Sequence, residues 1–359
     1  MKLFNLIVKS ADVKLFDQLD NGSFDAGHNG PYKDPETPVR NTAHWCLTFI
    51  KAYEISEDDK YFSAAVKCGD YLLSKEARPM NGAFFCRKNP EKDFANGLVG
   101  QAWTIEALVK LTEVTGEQKY KELATKVFLF HPYDQKNKAW IRLNVDGSYN
   151  GFDRTFNHQL WFAAAGGLLS DSNKVIKEQI VSFLAKMDDH LDLYPDGCIK
   201  HKGKFLVRGK KQKIRSILKN LAKSKHENSY IRMKSVGYHG FNLYAFAMLK
   251  NSFPDHSFFS SDMLKSALNY ACSDSFKEML PESKYGFPYN PPGFEMAFAL
   301  QEFDTAPEEE ISEWVSWQIK KCYNFESNLM TEGNTKDANT YAARIYEATR
   351  LRNYELKVD

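Results

Sequence analysis

One unit, repeated with variations along the 359 residues, constrains most strongly what this chain can fold into. An aromatic-rich apolar helix is followed by a short polar turn and then by a second, more amphipathic helix. The first copy runs from Asn41 to Leu73 and turns at Ser56-Glu57-Asp58-Asp59. The second runs from Asn96 to Phe130 with Thr115-Gly116-Glu117 at its turn, and the third from Asn157 to Met187 with Ser170-Asp171-Ser172. A fourth spans Tyr238 to Ala271 and a fifth Phe294 to Lys321. The last helix, Asp337 to Arg350, has no successor, and the first, Leu3 to Leu19, has no partner, so the two can pair and close a ring. Self-similarity at intervals of about 40–80 residues is the signature of a repeat architecture. The first helix of each copy is apolar on most faces, as a helix surrounded by protein must be. The expectation is one domain, 1–359, all-α, a closed (α/α) toroid of about six helical hairpins with little strand.

Composition narrows the partners. A net charge of +2 gives no overall attraction to nucleic acid or membranes. The basic residues are uneven, however: between Lys202 and Lys234 stand twelve Lys or Arg and one acid, Glu227. This insert, at about 200–235, suits either an anionic partner or a solvated loop. The aromatic fraction of 14% is high; most such rings belong to the core, a minority to sugar-stacking surfaces. The six cysteines show no C-x-x-C pair and no zinc spacing. No run reaches the length of a membrane helix, and the apolar run after Lys2 is too short for a signal peptide. These features predict a cytoplasmic protein with no metal, no cofactor and no membrane insertion.

Groups capable of chemistry gather where the first helices begin: Arg40, Asn41 and His44; Asp93, Asn96 and Gln101; Asp153, Arg154, Asn157 and His158; Tyr238, His239 and Asn242; Glu295. Helix capping accounts for Asn96 and Asp337, but not for His and Tyr recurring beside the caps. In a toroid these helix ends surround a funnel. The loop Asn21 to Tyr32, rich in glycine and polar groups and followed by Asp34, runs into the same region as a lid, a sugar contact or a plain turn.

Two clusters carry a resemblance. Thr155-Phe156-Asn157-His158-Gln159-Leu160-Trp161 and Arg232-Met233-Lys234-Ser235-Val236-Gly237-Tyr238-His239 resemble the toroidal alginate-lyase type of polysaccharide lyase, over roughly a quarter of the chain. The resemblance implies that Asn157 and His158 neutralise a uronate carboxylate. It implies Tyr238 as the group that takes the C5 proton and returns a proton to the leaving oxygen, with Arg232 alongside. A tyrosine needs a neighbouring cation to titrate low enough to act as a base, and the enolate-like charge needs donors. Arg40, His44, His239, Asn242, Trp161 and Gln101 would contact the substrate, an acidic glycan. Toroidal unsaturated-uronyl hydrolases, glucuronyl epimerases and polysaccharide-biosynthesis proteins share the hairpin plan. Hydrolysis would need a carboxyl pair, for which Asp93, Asp153 and Glu295 are available, with Asp25 and Asp34 on the N-terminal loop. The expected function is thus an enzyme acting on a uronate-containing poly- or oligosaccharide by β-elimination. Hydrolysis or C5-epimerisation is the alternative, and non-catalytic glycan binding the third possibility.

Overall fold

The computed structural model describes residues 1–204, 225–287, 289–333 and 336–358. Most of the basic insert, including Lys210, Lys211 and Lys213, lies outside the described residues.

Six hairpins form the expected ring. The inner helices are α2 (Val39–Ser56), α4 (Gly97–Thr115), α6 (Phe156–Gly167), α10 (His239–Ser252) and α13 (Pro292–Phe303). The sixth position is filled by α15 (Ala338–Ala343), continued by the 3₁₀ helix Arg344–Arg350. Each inner helix packs on the next, and the 3₁₀ helix packs against both α13 and α2, which closes the circle. The outer layer consists of α3 (Asp59–Leu73), α5 (Gln118–Phe130), α7 (Lys174–Leu184), α11 (Asp262–Ala271) and α14 (Glu308–Cys322), each paired with the inner helix before it. The sixth outer place belongs to α1 (Leu3–Leu15), against α2 and the closing 3₁₀ helix. The two ends of the chain are joined there by Leu3 N–H to the Tyr354 carbonyl at 3.0 Å and Leu356 N–H to the Met1 carbonyl at 2.7 Å. Three further helices, α8 (Met187–His190), α9 (Lys225–Gly237) and α12 (Asp274–Met279), lie between hairpins.

The layering follows from residue type. α4 is buried along nearly its whole length, whereas α3 buries one stripe, including Tyr61, Ala65, Cys68 and Leu72, and leaves the other face wet. Gly116, at φ +76, ends α4 in a left-handed turn that a side chain would strain. α14 begins Glu308-Glu309-Glu310 and ends with Lys320-Lys321, charges placed to oppose its own dipole. Between α5 and α6 the chain forms a small antiparallel sheet, β1 (Tyr133–Asp134), β2 (Ala139–Leu143) and β3 (Tyr149–Phe152), in the order β1-β2-β3. Gln159 of α6 clamps β2 through both backbone groups of Trp140, at 3.0 and 2.8 Å. Tyr133 pairs with Trp140, and Ile141 with Phe152.

Candidate active site

First-turn residues of α4, α6 and α10 face one end of the ring, where a cavity of about 220 Å³ opens. Helix N-termini carry partial positive charge and unpaired N–H groups, so this end attracts anions before any side chain is counted. The side chains add to it. Arg87, Lys92, Lys234, Arg344, His158 and His201 line the cavity with Asn29, Tyr32, Asn157, Tyr238, Tyr289 and Asn290. No carboxylate is among the lining residues described.

Three of the acids proposed for hydrolysis stand behind basic groups. Asp93 accepts from Arg87 at 2.7 Å and caps α4 through Gly97 N–H at 2.6 Å. It therefore does the capping expected of Asn96, whose side chain instead accepts from Arg87 at 3.1 Å. Glu295 is fully buried and pairs with Arg344 at 3.2 Å; burial and then the Glu347 charge push its carboxyl well up. Asp153 meets His158 Nδ1 at 2.6 Å and also accepts from the Leu98 and Thr155 N–H groups. Burial opposes its charge, but His158, Arg142 and the Thr155 N–H hold it down to about 2. An ionised carboxylate only accepts, so His158 donates from Nδ1 and keeps Nε2 for the cavity. The backbone here admits only glycine. Gly97 sits at φ +59, and a Cβ on it would fall onto Asp153 Oδ2 and lie 2.7 Å from His158 Nδ1.

Of the residues expected in the site, Asn157, His158 and Tyr238 do line the cavity, and the Asn157 Oδ1 has no hydrogen-bond partner among the described residues. Tyr238 does not fit the role of a base. Its hydroxyl shares a hydrogen bond with Tyr32 at 2.8 Å, and burial, followed by Tyr289 and Tyr32, pushes its phenol well above the usual range. Arg232, its expected tuner, is elsewhere: it pairs with Asp196 at 2.5 Å, donates to Tyr270 at 2.9 Å and covers the Tyr194 ring.

Arg40 and His44 lie one layer below. Arg40 donates to Asn29 at 2.9 Å and stacks on Trp103 at 4.5 Å, and both of those residues reach the cavity. His44 is sandwiched between Tyr346 and Trp103, and burial, then Arg40 and Arg344, keep it neutral. The remaining expectations fail because these side chains fasten the scaffold. Gln101 holds the Phe84 and Ala95 backbone, and Trp161 donates to the Phe241 carbonyl. His239 accepts from Ile199 N–H at Nδ1 and meets the Ala267 carbonyl at Nε2, and Asn242 donates to the Tyr238 carbonyl. On a helix each step turns 100°, so His239 turns away from the cavity that Tyr238 and Phe241 line, while Asn242 is tied back to the first turn of its own helix.

Sequence reasoning missed Arg87, Lys92, His201 and Arg344. The first three stand on loops between elements, where no periodicity marks them. Arg344 had a signal, an arginine that directly follows the apolar run Tyr341-Ala342-Ala343 of the last inner helix. It is held by Asn290 and Glu295 at 3.2 Å and by Glu347 at 2.7 Å. His201, whose Nδ1 has no partner among the described residues, packs on Tyr238 at 4.9 Å. Burial, then Lys234 and His158, push it well below its usual value, so it faces the cavity neutral.

A closed ring of hairpins with its pocket at the inner-helix N-termini defines an α/α toroid. Cellobiose 2-epimerase from Spirochaeta thermophila superposes with a TM-score of 0.64 at 14% identity, over 97% of this chain and 96% of that one. A heparin-specific unsaturated glucuronyl hydrolase does so with 0.59 at 11%, over 96% of each. At such identities the likeness is one of fold. No protein-family model matches the chain. The archaeal glycosylation protein Q of Haloferax volcanii is 41% identical, with 99% of each chain covered. The chain belongs to the archaeal glycosylation protein Q family.

Proposed function

We propose that this chain is an enzyme that acts on an acidic, uronate-bearing sugar of a glycan by removing the proton at C5. The observation that carries the reading is the cavity lined by Arg87, Lys92, Lys234 and Arg344 with no carboxylate among its described lining residues. Those cations favour a carboxylate ligand and stabilise the second negative charge that develops when the adjacent C–H bond breaks. His158, held by Asp153 with Nε2 toward the cavity, is the base. Tyr238, kept protonated by burial, suits the role of proton donor. In elimination the C5–H electrons become the C4–C5 double bond, the C4–O bond breaks, and the departing oxygen takes the Tyr238 proton. In epimerisation C4–O stays intact and the proton returns to C5 on the opposite face. The relative's name ties it to glycosylation; a reaction that leaves the glycan joined fits that setting, and elimination is the alternative outcome. A hydrolase reading lacks a carboxyl pair among the described residues that line the cavity.

The test is to incubate the protein with oligouronides in D₂O, following C5–H by NMR and absorbance near 235 nm. Solvent deuterium at C5 without absorbance marks epimerisation, and absorbance marks elimination; either supports the proposal. New reducing ends with C5–H retained would refute it, as would turnover of neutral sugars alone.

A further inference from the structure

The cavity of about 220 Å³ is open at one end of the ring, so a glycan that enters it continues past the mouth. There the described side chains form an alternation of ammonium groups and phenol rings. Lys234 lies over Tyr32 at 4.9 Å and Tyr285 at 5.1 Å, and Lys284 covers the other neighbour of that group, Tyr230, at 5.1 Å while also facing Tyr285 at 5.2 Å. Lys202 reaches the same rim through the backbone. It forms an antiparallel bridge with Thr155 and follows His201, both of which line the cavity.

None of Lys202, Lys234 and Lys284 has an ion-pair partner among the described residues. Nor does the neighbouring sequence offer a counter-charge: residues 205–224, outside the described residues, contain seven Lys or Arg and no Asp or Glu. Lys234 is mostly buried, and that burial, followed by the charges of Lys202, Lys284 and Lys92, pushes its ammonium down to about 8. Crowding like charges around a desolvated amine is costly. The Tyr32, Tyr238 and Tyr285 rings under the ammonium offset part of that cost, and an incoming anion relieves the rest.

We propose that the mouth of the cavity is a second anion subsite. Lys202, Lys234 and Lys284, set on the Tyr32 and Tyr285 rings, take an oxyanion carried by the group next to the reacting sugar. The substrate then bears at least two negative charges, one in the cavity and one at the rim. The inference rests on the reading of the cavity as a uronate site. The rim oxyanion is either the carboxylate of a neighbouring uronate or a phosphate joined to the reacting sugar.

The experiment measures binding by calorimetry at low salt, using the whole chain and three ligands. These are a uronide linked to a neutral sugar, a diuronide and a uronic acid 1-phosphate. At least one of the two ligands that carry a second anionic group is expected to bind about tenfold more tightly than the singly charged one, as two or three exposed ion pairs provide. The Lys202→Gln/Lys284→Gln double variant, altered at two exposed positions, is expected to bring the ratio within about twofold. Preference for the diuronide assigns the subsite to a carboxylate, and preference for the 1-phosphate assigns it to phosphate. Equal binding of all three by the native protein overturns the inference, as does a preference that survives in the double variant. Deuterium exchange at C5 is read separately on the bound ligands. Its absence sinks the proposed chemistry without touching the ratio, and a missing ratio sinks the subsite without touching the chemistry.

Discussion

Asp153→Asn keeps the shape of the side chain and removes its charge, and the structure lets both consequences be sized. In the native protein the carboxylate is held at about 2 rather than the ordinary 3.8. At about 1.4 kcal/mol per tenfold in proton affinity, the difference corresponds to about 2 kcal/mol of folding free energy. The folded value is the lower one, so this contribution is complete above about pH 4 and disappears as pH falls toward 2. The variant is expected to be about 2 kcal/mol less stable in urea at pH 7, with the gap to the native protein narrowing below pH 4. Chemistry suffers more. An amide can donate to His158 Nδ1, which turns the imidazole into the tautomer with its proton on Nε2, unable to accept one from substrate. Turnover of an oligouronide, followed by C5 exchange or absorbance, is expected to fall by about 10²-fold or more, the typical contribution of a general base. A variant that keeps turnover within threefold of native would refute the assignment of the His158–Asp153 pair, and a gap unchanged at pH 2–3 would refute the electrostatic argument.

Gly97→Ala, which drives a Cβ into that same pair at a positive φ, is expected to cost about 1–3 kcal/mol in urea unfolding and more than tenfold in turnover. Tyr238→Phe removes the proton donor and the bond to Tyr32; turnover is expected to fall about 10²-fold, with C5 exchange into the bound uronide less affected than product release if elimination is the outcome. Arg232→Ala breaks an ion pair with Asp196 outside the cavity, so turnover is expected within about threefold of native and stability within about 1 kcal/mol. Burial, against the Arg344 charge, raises the Glu347 carboxyl to about 7. A raised carboxyl stabilises the fold fully below about pH 4.5 and progressively less up to pH 7. Urea titrations should therefore show stability falling across that interval, and Glu347→Gln should flatten the fall.

The ring was legible because its cause is local. Apolar faces, polar turns and the Gly116 stop can each be read within one hairpin, and the two unpartnered helices at the ends call for each other. The small sheet at 133–152 was not read, since its strands are two to five residues long and carry no sustained alternation. The site was half legible for a geometric reason. Asn157 and Tyr238 could be found because inner-helix starts point at the funnel. Which of two adjacent residues does so depends on helix rotation that sequence spacing leaves open, and Tyr238 faces in while His239 turns to Ala267. Arg87 and Lys92 come from a loop whose path is set by partners such as Asp34, a contact between segments fifty residues apart.

The seam between Met1–Leu3 and Tyr354–Leu356 bears on how the protein is made. Synthesis delivers five hairpins before the segment that completes the circle, and until then α2 and α13 present apolar flanks with nothing between them. Arg344, which floors the cavity, arrives with that same last segment. Most of the ring can assemble hairpin by hairpin on short sequence separations, but its final step joins residues more than three hundred positions apart, the slow kind of contact. A nascent chain therefore passes through an open, sticky crescent that cannot yet hold substrate, and this is the stage at which aggregation or capture by a chaperone competes with completion.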